Sequence, residues 1–151
     1  MDFPARPGEL IETPEVFIEA LGARPSRTYR SNRDLMAVFD TQDQIETLDP
    51  DMERLRALDF IGAIVTAPGK DADFVSRFFA PSVGISEDPV TGSSHCTLVP
   101  YWACRLNKNE LFARQLSERG GSIYCKYDGK RVNIGGRAIT YLIGSIILTE
   151  H

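Results

Sequence analysis

The sequence predicts a single α+β domain over residues 1–151, in which a mixed, mostly antiparallel β-sheet is curled into a barrel around a central buried helix. Three observations support this fold class. The stretch Ser93–Leu106 is apolar almost all round, which is typical of a buried helix. Phe60–Thr66 is a continuous apolar, β-branched run of strand length, and the last third of the chain is rich in strand-like segments. A buried helix flanked by strands indicates a sheet wrapped around it.

The first part of the chain is expected to alternate short helices and strands. Met1–Gly8 is rich in proline and indicates an extended segment. Thr13 is expected to cap the first helix, with Pro14 in its first turn, and Gly22 is placed to end it. The other elements predicted here are strands at Ser26–Ser31 and Leu35–Phe39, and helices at Thr41–Leu48 and Asp51–Leu58, the second with Asp49 as its cap and Pro50 at its first position.

Strands are expected on both sides of the buried helix. Pro100 falls inside that helix, where it removes one backbone donor and is expected to bend the axis. Asp128-Gly129 predicts a hairpin with a type I′ turn, which needs positive φ at both central positions. The strands predicted in this part are Asp73–Phe79, the hairpin strands Ser122–Tyr127 and Lys130–Ile134, and one or two strands in the apolar run Ala138–Thr149.

Composition excludes several classes of function. The net charge of −4 and the absence of a dense basic cluster argue against a nucleic-acid partner. No apolar run reaches the roughly 18 to 20 residues of a membrane span, and the N-terminal segment has no apolar core of a secretory signal. The three cysteines lack metal-site spacing, which favours free thiols in a reducing cytoplasm. No metal or organic cofactor is implied, because Gly135-Gly136 lacks the context of a dinucleotide-binding loop.

The segment just before and inside the start of the buried helix carries the chemistry. A helix N-terminus has amides without intrahelical partners and a partial positive charge, so it can hold a carboxylate. Gly92 permits close approach of a ligand, Ser93 and Ser94 add hydroxyl donors, and Asp88 is expected beside the bound anion. On local residues alone a second interpretation stays open, in which Thr91 or Ser93 merely caps the helix and Asp88 fixes a turn.

Two neighbours of these residues are also candidates. Glu87 adjoins Asp88, but adjacent side chains need not face the same way, and Asp88 is the preferred site acid. His95 lies in the first turn of the helix, where it can contact a substrate or serve as a packed or capping histidine.

Taken with its flanks, the motif resembles the PhzF-like isomerases of the phenazine biosynthesis family, which share the two-lobed fold of diaminopimelate epimerase. The resemblance covers the C-terminal lobe only and runs from near the N-terminus to the end of the chain. The stretches that carry it are Phe74–Pro81, Gly84–Cys96, Pro100–Ala103, Arg114-Gln115 and Arg119–Gly121.

The resemblance implies a site in the cleft between two lobes. Asp88 and Ser93 match the catalytic acid and hydroxyl that this lobe contributes, in a cofactor-independent shift of a proton on a small carboxylate-bearing substrate. The other residues that the resemblance places around the substrate are Thr91, Gly92, Ser94, His95, Gly120 and Gly121.

The family's N-terminal lobe, with the glutamate that acts as its main acid/base, has no counterpart in these 151 residues. We therefore expect little isomerase activity from the chain alone, and we expect its partner to be the missing lobe or a second copy of itself. A homodimer with two-fold symmetry would place two Asp88 side chains across one cleft. The alternative is a non-catalytic domain that binds a small carboxylate or self-associates.

Overall fold

Nine strands form one mixed sheet in the computed structural model, which describes residues 1–146. The strands are β1 (Asp2–Pro4), β2 (Glu9–Ile11), β3 (Arg27–Arg30), β4 (Asp34–Val38), β5 (Gly62–Pro68), β6 (Phe74–Phe79), β7 (Glu110–Gln115), β8 (Gly121–Tyr127) and β9 (Arg131–Gly135). The helices are α1 (Glu15–Leu21), α2 (Gln42–Glu46), α3 (Met52–Arg56), a short 3₁₀ helix at Pro81–Val83, and α4 (Gly92–Leu106).

The strands follow the spatial order β1-β9-β8-β7-β6-β5-β4-β3-β2. Pairing is parallel between β4 and β5 and between β6 and β7, and antiparallel elsewhere. The predicted α+β class with a mixed, mostly antiparallel sheet is therefore confirmed. The predicted barrel around a central helix is not confirmed for residues 1–146, because the sheet is unclosed there: β1 and β2 form its two edges and do not pair with each other.

Alternation of side chains along the central strands creates two cores on opposite faces of the sheet. On one face, α4 packs against the sheet through residues such as Leu98 and Trp102. On the other face, α1, α2 and α3 cover the sheet with Phe17, Ile45 and Leu55 among their buried residues. Because α4 lies on one face of this sheet, its first turn lies next to the C-terminal ends of the neighbouring strands β6 and β7.

The termini of the short helices depart from the sequence prediction by one or two residues. Pro14 occupies the N-cap of α1, and the Thr13 hydroxyl instead shares a 2.8 Å hydrogen bond with the Thr28 hydroxyl. Gly22 ends α1 in the left-handed conformation, as predicted, with φ of 70°. The cap of α3 is Asp51, whose carboxylate accepts from two backbone amides, so the predicted start at Asp49 and Pro50 is wrong.

The hairpin between β8 and β9 forms where the sequence predicts it, but its turn differs. Gly129 has φ of 94°, whereas Asp128 does not have positive φ, so the predicted type I′ turn, which needs positive φ at both positions, does not form. The Asp128 carboxylate holds this turn by accepting from the amides of Lys130 and Arg131.

The C-terminal strand prediction is wrong over the part that can be compared. Residues 136–146 contain no strand, and residues 147–149 of the predicted run lie outside the described residues. Across residues 1–146, every helix falls short of the length and apolar character that a membrane crossing requires.

Candidate functional site

The candidate site is the loop that leaves β6 and enters α4. After the short 3₁₀ helix, the loop returns to the C-terminal end of β6, where the amide of Asp88 donates to the carbonyl of Phe78 at 3.0 Å. This bond fixes the backbone of Asp88. Pro89 restricts the same backbone further, because a proline limits the conformations of the residue before it. Asp88 is thereby held next to the first turn of α4.

The N-terminus of α4 lacks a side-chain cap. Thr91 occupies the N-cap position, but its hydroxyl donates to the Asp88 carboxylate at 2.7 Å and makes no capping bond to the helix amides. At Gly92, a methyl group in place of a hydrogen would meet no other part of the described chain within 4 Å. The first-turn amides therefore have no side-chain cap, and the space next to Gly92 is open. The Thr91 hydroxyl does not perform the simple capping role that the sequence left open for it.

Gln115, at the end of β7, fastens this loop to the sheet. Its side chain is 1% exposed. The amide oxygen accepts from the Thr91 backbone at 2.8 Å, and the amide nitrogen donates to the Asp88 carbonyl at 2.6 Å and to the Thr91 hydroxyl at 3.1 Å. Sequence reasoning did not assign Gln115 a role in the site. The one sequence signal was its place in the matched Arg114-Gln115 pair.

The predicted glycine pair lies beneath the loop and supports it. The Gly120 amide donates to the Ser117 hydroxyl, which in turn donates to the Pro89 carbonyl at 2.7 Å. A Cβ atom at Gly121 would collide with a methyl group of Val90. The Gly120 amide is thus engaged by Ser117, a contact of Gly120 with a substrate stays a prediction, and Gly121 is required for close packing.

Ser94 and His95 point away from the open side of the turn. The Ser94 hydroxyl donates to the Thr91 carbonyl at 3.1 Å, and the Nδ1 nitrogen of His95 lies 2.7 Å from the same oxygen. Ser94 is 1% exposed and His95 is 0% exposed, with its ring against Phe74. Burial lowers the pKa of His95 to about 4, although the bond to the Thr91 carbonyl opposes this shift. Both side chains brace the helix start from inside, so the packed interpretation of His95 describes its position.

Glu87 is occupied by an ion pair. Its two carboxylate oxygens accept from the Arg77 guanidinium at 2.7 and 3.0 Å, and the same guanidinium donates to the carbonyls of Ile45 and Leu48. Glu87 therefore ties the loop to the helical side of the sheet. Asp88, Gly92 and Ser93 are the predicted site residues that combine partial exposure with a place at the open helix start.

This arrangement has a definite chemical capacity. Uncapped helix amides and a serine hydroxyl can hold the oxygens of a carboxylate, and the partial positive charge of the helix favours added negative charge there. A carboxylate beside them can accept or return a proton.

Comparisons with known proteins identify the family of the chain. A family model for phenazine biosynthesis-like proteins, PhzC-PhzF, matches residues 11–144. A Pseudomonas aeruginosa protein named as an uncharacterized isomerase is 46% identical over 150 residues, covering 99% of this chain and 57% of that protein. Another uncharacterized isomerase, from Halalkalibacterium halodurans, is 40% identical and is matched over 98% of this chain and 57% of its own length.

A similar structure is the crystal structure of a PhzF-family phenazine biosynthesis protein from Enterococcus faecalis. It superposes with a TM-score of 0.89 at 43% identity, covering 94% of this chain and 55% of that one. The chain thus spans a little over half the length of the curated relatives it matches. The length of the family match and the level of identity establish that the chain belongs to the PhzC-PhzF family of phenazine biosynthesis-like proteins.

Proposed function

We propose that this chain supplies one wall of the active site of a cofactor-independent isomerase, which shifts a proton on a small carboxylate-bearing substrate. The observation that carries the proposal is the pairing of the Thr91 hydroxyl with Asp88, which leaves the start of a 15-residue helix uncapped and open beside a fixed carboxylate. The names of the relatives, uncharacterized isomerases, support the class of reaction.

In the proposed complex the substrate carboxylate lies against the first turn of α4. The amides of this turn and the Ser93 hydroxyl donate to its oxygens, and Gly92 allows the close approach. Removing a proton from the neighbouring carbon pushes the electron pair onto those oxygens. The same donors then stabilise the extra negative charge, which is where preorganised hydrogen bonds contribute most to a rate.

Asp88 is the proposed acid/base on this wall. Its carboxylate takes the proton from one carbon or delivers it to another, and the Thr91 hydroxyl and Gln115 hold it in place. We propose that a second acid/base lies across the substrate, since each proton-transferring group must be within hydrogen-bond reach of the carbon that it serves. We propose that the other part of the site comes from the half of the relatives that this chain does not span, or from a second copy of the chain.

The exposed C-terminal segment supports a partner of this kind. Ile139, Tyr141, Leu142 and Ile143 are each at least 81% exposed. Apolar surface of this extent is a common feature of sites where another protein packs.

A proton-exchange assay in heavy water tests the enzymatic proposal. Candidate amino and hydroxy acids are incubated with the chain alone and with the chain plus the remaining half of the Pseudomonas aeruginosa relative, and loss of the proton next to the carboxylate is followed by NMR. We expect exchange with both halves, little with the chain alone, and a loss of roughly 100-fold or more for Asp88→Asn or Ser93→Ala.

Matched controls are Asp71→Asn and Ser26→Ala, which alter the same residue types at exposed positions outside the loop between β6 and α4. Exchange by the isolated chain that Asp88→Asn abolishes would show that this half-site is complete by itself. Undiminished exchange by Asp88→Asn in the presence of both halves would show that the acid is another residue.

The second candidate function is self-association without catalysis, and the exposed apolar segment favours it. Sedimentation velocity over a range of concentrations is expected to show a dimer that Ile143→Asp weakens. Val83→Asp is the control, since Val83 is also exposed, at 57%, but lies in the 3₁₀ helix. A monomer at every concentration rules out this candidate.

A further inference from the structure

A separate cavity of about 430 Å³ opens beside the second half of α4. At a rise of about 1.5 Å per residue, its wall at Tyr101–Arg105 lies roughly 14 to 20 Å along the helix from Gly92. The cavity therefore does not belong to the candidate site at the helix start. Its six side chains of interest come from β3, α4 and the end of β8, and we call it the tyrosine–arginine cavity: Arg27, Tyr29, Tyr101, Cys104, Arg105 and Tyr127.

The charge of the cavity is the reverse of the charge of the protein. The chain as a whole carries a net charge of −4. In the cavity, Arg27 and Arg105 are the charged lining residues, and the lining that the described residues provide includes no aspartate or glutamate. Neither guanidinium is within salt-bridge distance of a carboxylate anywhere in residues 1–146. Two guanidinium groups without a carboxylate partner at one cavity favour an anion as the occupant.

The remaining walls are aromatic and apolar. The rings of Tyr29 and Tyr101 meet edge to face with centroids 5.2 Å apart, Tyr127 adds a third ring, and Met36 is a buried part of the lining. Burial raises the pKa of the Tyr101 phenol, so this group stays neutral at physiological pH and adds no negative charge. Arg27 comes from β3 and Arg105 from α4, so the cavity has one arginine from each of these two elements.

We propose that the tyrosine–arginine cavity binds a small planar organic acid, with its aromatic ring against the tyrosine side chains and its carboxylate on Arg27 and Arg105. The volume lies within the range of about 300 to 1,000 Å³ that is usual for small-molecule sites, and it suits an acid with one ring. Aromatic side chains stack favourably on a flat ring, and guanidinium groups can bind a carboxylate through two parallel hydrogen bonds.

Cys104 provides a reporter for this site. It lines the cavity and is exposed, whereas Cys96 and Cys125 are 1% and 5% exposed. A neutral maleimide is therefore expected to modify Cys104 first, as followed by mass spectrometry. Benzoate is expected to slow this modification in a saturable way. Cyclohexanecarboxylate, which keeps the charge without the flat ring, and benzamide, which keeps the ring without the charge, are each expected to protect at least tenfold less well.

Two variants connect this protection to the guanidinium groups. Arg27→Gln and Arg105→Gln are each expected to raise the benzoate concentration for half protection about tenfold or more, which is the size of one charge-assisted hydrogen bond. Arg30→Gln is the matched control, because Arg30 is exposed in the same strand as Arg27 but does not line the cavity. Isothermal titration of benzoate into Cys104→Ser checks that binding does not depend on the thiol. Absence of protection by millimolar benzoate, equal protection by all three compounds, or unchanged protection in both arginine variants would overturn the proposal.

Discussion

The backbone amide of Arg6 donates to the carbonyl of Cys96 at 2.8 Å. In a regular helix that carbonyl accepts from the amide four residues later, which here is Pro100 and has no N–H. The segment between β1 and β2 thus supplies the hydrogen bond that the proline removes. Because Cys96 is 1% exposed, its carbonyl would otherwise be a buried acceptor without a donor.

Replacing Arg6 with proline removes this donor and tests its contribution. We expect Arg6→Pro to lower the free energy of unfolding by about 1 to 3 kcal/mol relative to Arg6→Ala, which loses the same side chain but keeps the amide. Urea denaturation of the two variants measures the difference. Equal stability of the two would mean that the helix compensates for Pro100 in another way.

Gln115 is expected to position Asp88 and Thr91 without contacting the substrate itself. Gln115→Leu keeps a side chain of similar size but removes its amide, so the Thr91 amide and the Asp88 carbonyl lose their hydrogen-bond partners. We expect a loss of about 2 kcal/mol or more in unfolding free energy, since buried polar groups without partners are costly.

The control for this variant is Asn133→Leu, an amide-to-leucine change at an exposed strand position. Thermal unfolding compares the two, and proton exchange with both halves present is expected to fall in Gln115→Leu alone. A stable Gln115→Leu protein with full exchange would remove Gln115 from the machinery that positions Asp88.

The sequence predicted the elements whose signals are local. Gly22 ends α1 because only a residue that tolerates positive φ fits there, and the apolar run of β5 is buried because no side of it is polar. The strands at the sheet edges were not predicted. β1 forms by pairing with β9, where Asp2 lies opposite Asn133. Its three residues are too few for a sequence pattern that would predict a partner so distant in the chain.

The candidate site also contains residues with local sequence signals and residues that depend on distant contacts. Asp88, Gly92 and Ser93 are candidates from the sequence, since an acid, a glycine and a serine at the start of a buried helix form a local pattern, and their roles stay a prediction. Gln115 was not identifiable, because its role depends on bonds to residues more than twenty positions away. The hydrogen bond from the Gly120 amide to the Ser117 hydroxyl was not identifiable either, because it forms in a turn that composition does not specify.

Gly121 and Val90 are expected to be coupled. Gly121→Ala places a methyl group in collision with the Val90 side chain, so we expect it to destabilise the protein by about 1 to 3 kcal/mol. Val90→Ala makes room for that group. In the double variant the loss is therefore expected to be smaller than the sum of the two single losses by about 1 kcal/mol, as measured in a double-mutant cycle by urea denaturation.

Gly92→Ala is the contrasting change, because a methyl group there contacts nothing. It is expected to leave the free energy of unfolding within about 0.5 kcal/mol of the original while weakening carboxylate binding at the helix start.

If the losses in unfolding free energy for Gly121→Ala and Val90→Ala are additive in the double-mutant cycle, the loop moves away from the strand instead of being held against it.

His95 is expected to make the protein less stable in mild acid. Its pKa is lowered to about 4 in the folded chain by burial, while the unfolded chain takes up a proton near pH 6.5. Between these values the unfolded state binds more protons, so the free energy of unfolding falls as pH is lowered from about 6.5 towards 4, by at most about 1.4 kcal/mol per pH unit. Below about pH 4 both states are protonated at this residue and its contribution stops changing.

His95→Gln removes this titration while keeping an amide that can donate to the Thr91 carbonyl. The variant is expected to be less stable at pH 7 because it loses the packing of the ring against Phe74, but its stability should vary less between pH 6.5 and 5 than that of the original chain. Urea midpoints measured at several pH values give both slopes. The slopes are compared over the upper part of the window, because carboxylates begin to titrate below pH 5 and add the same dependence to both proteins. Parallel slopes for the two proteins would mean that His95 binds its proton equally well in the folded and unfolded chains, and hence that the ring is open to water at the base of the helix start.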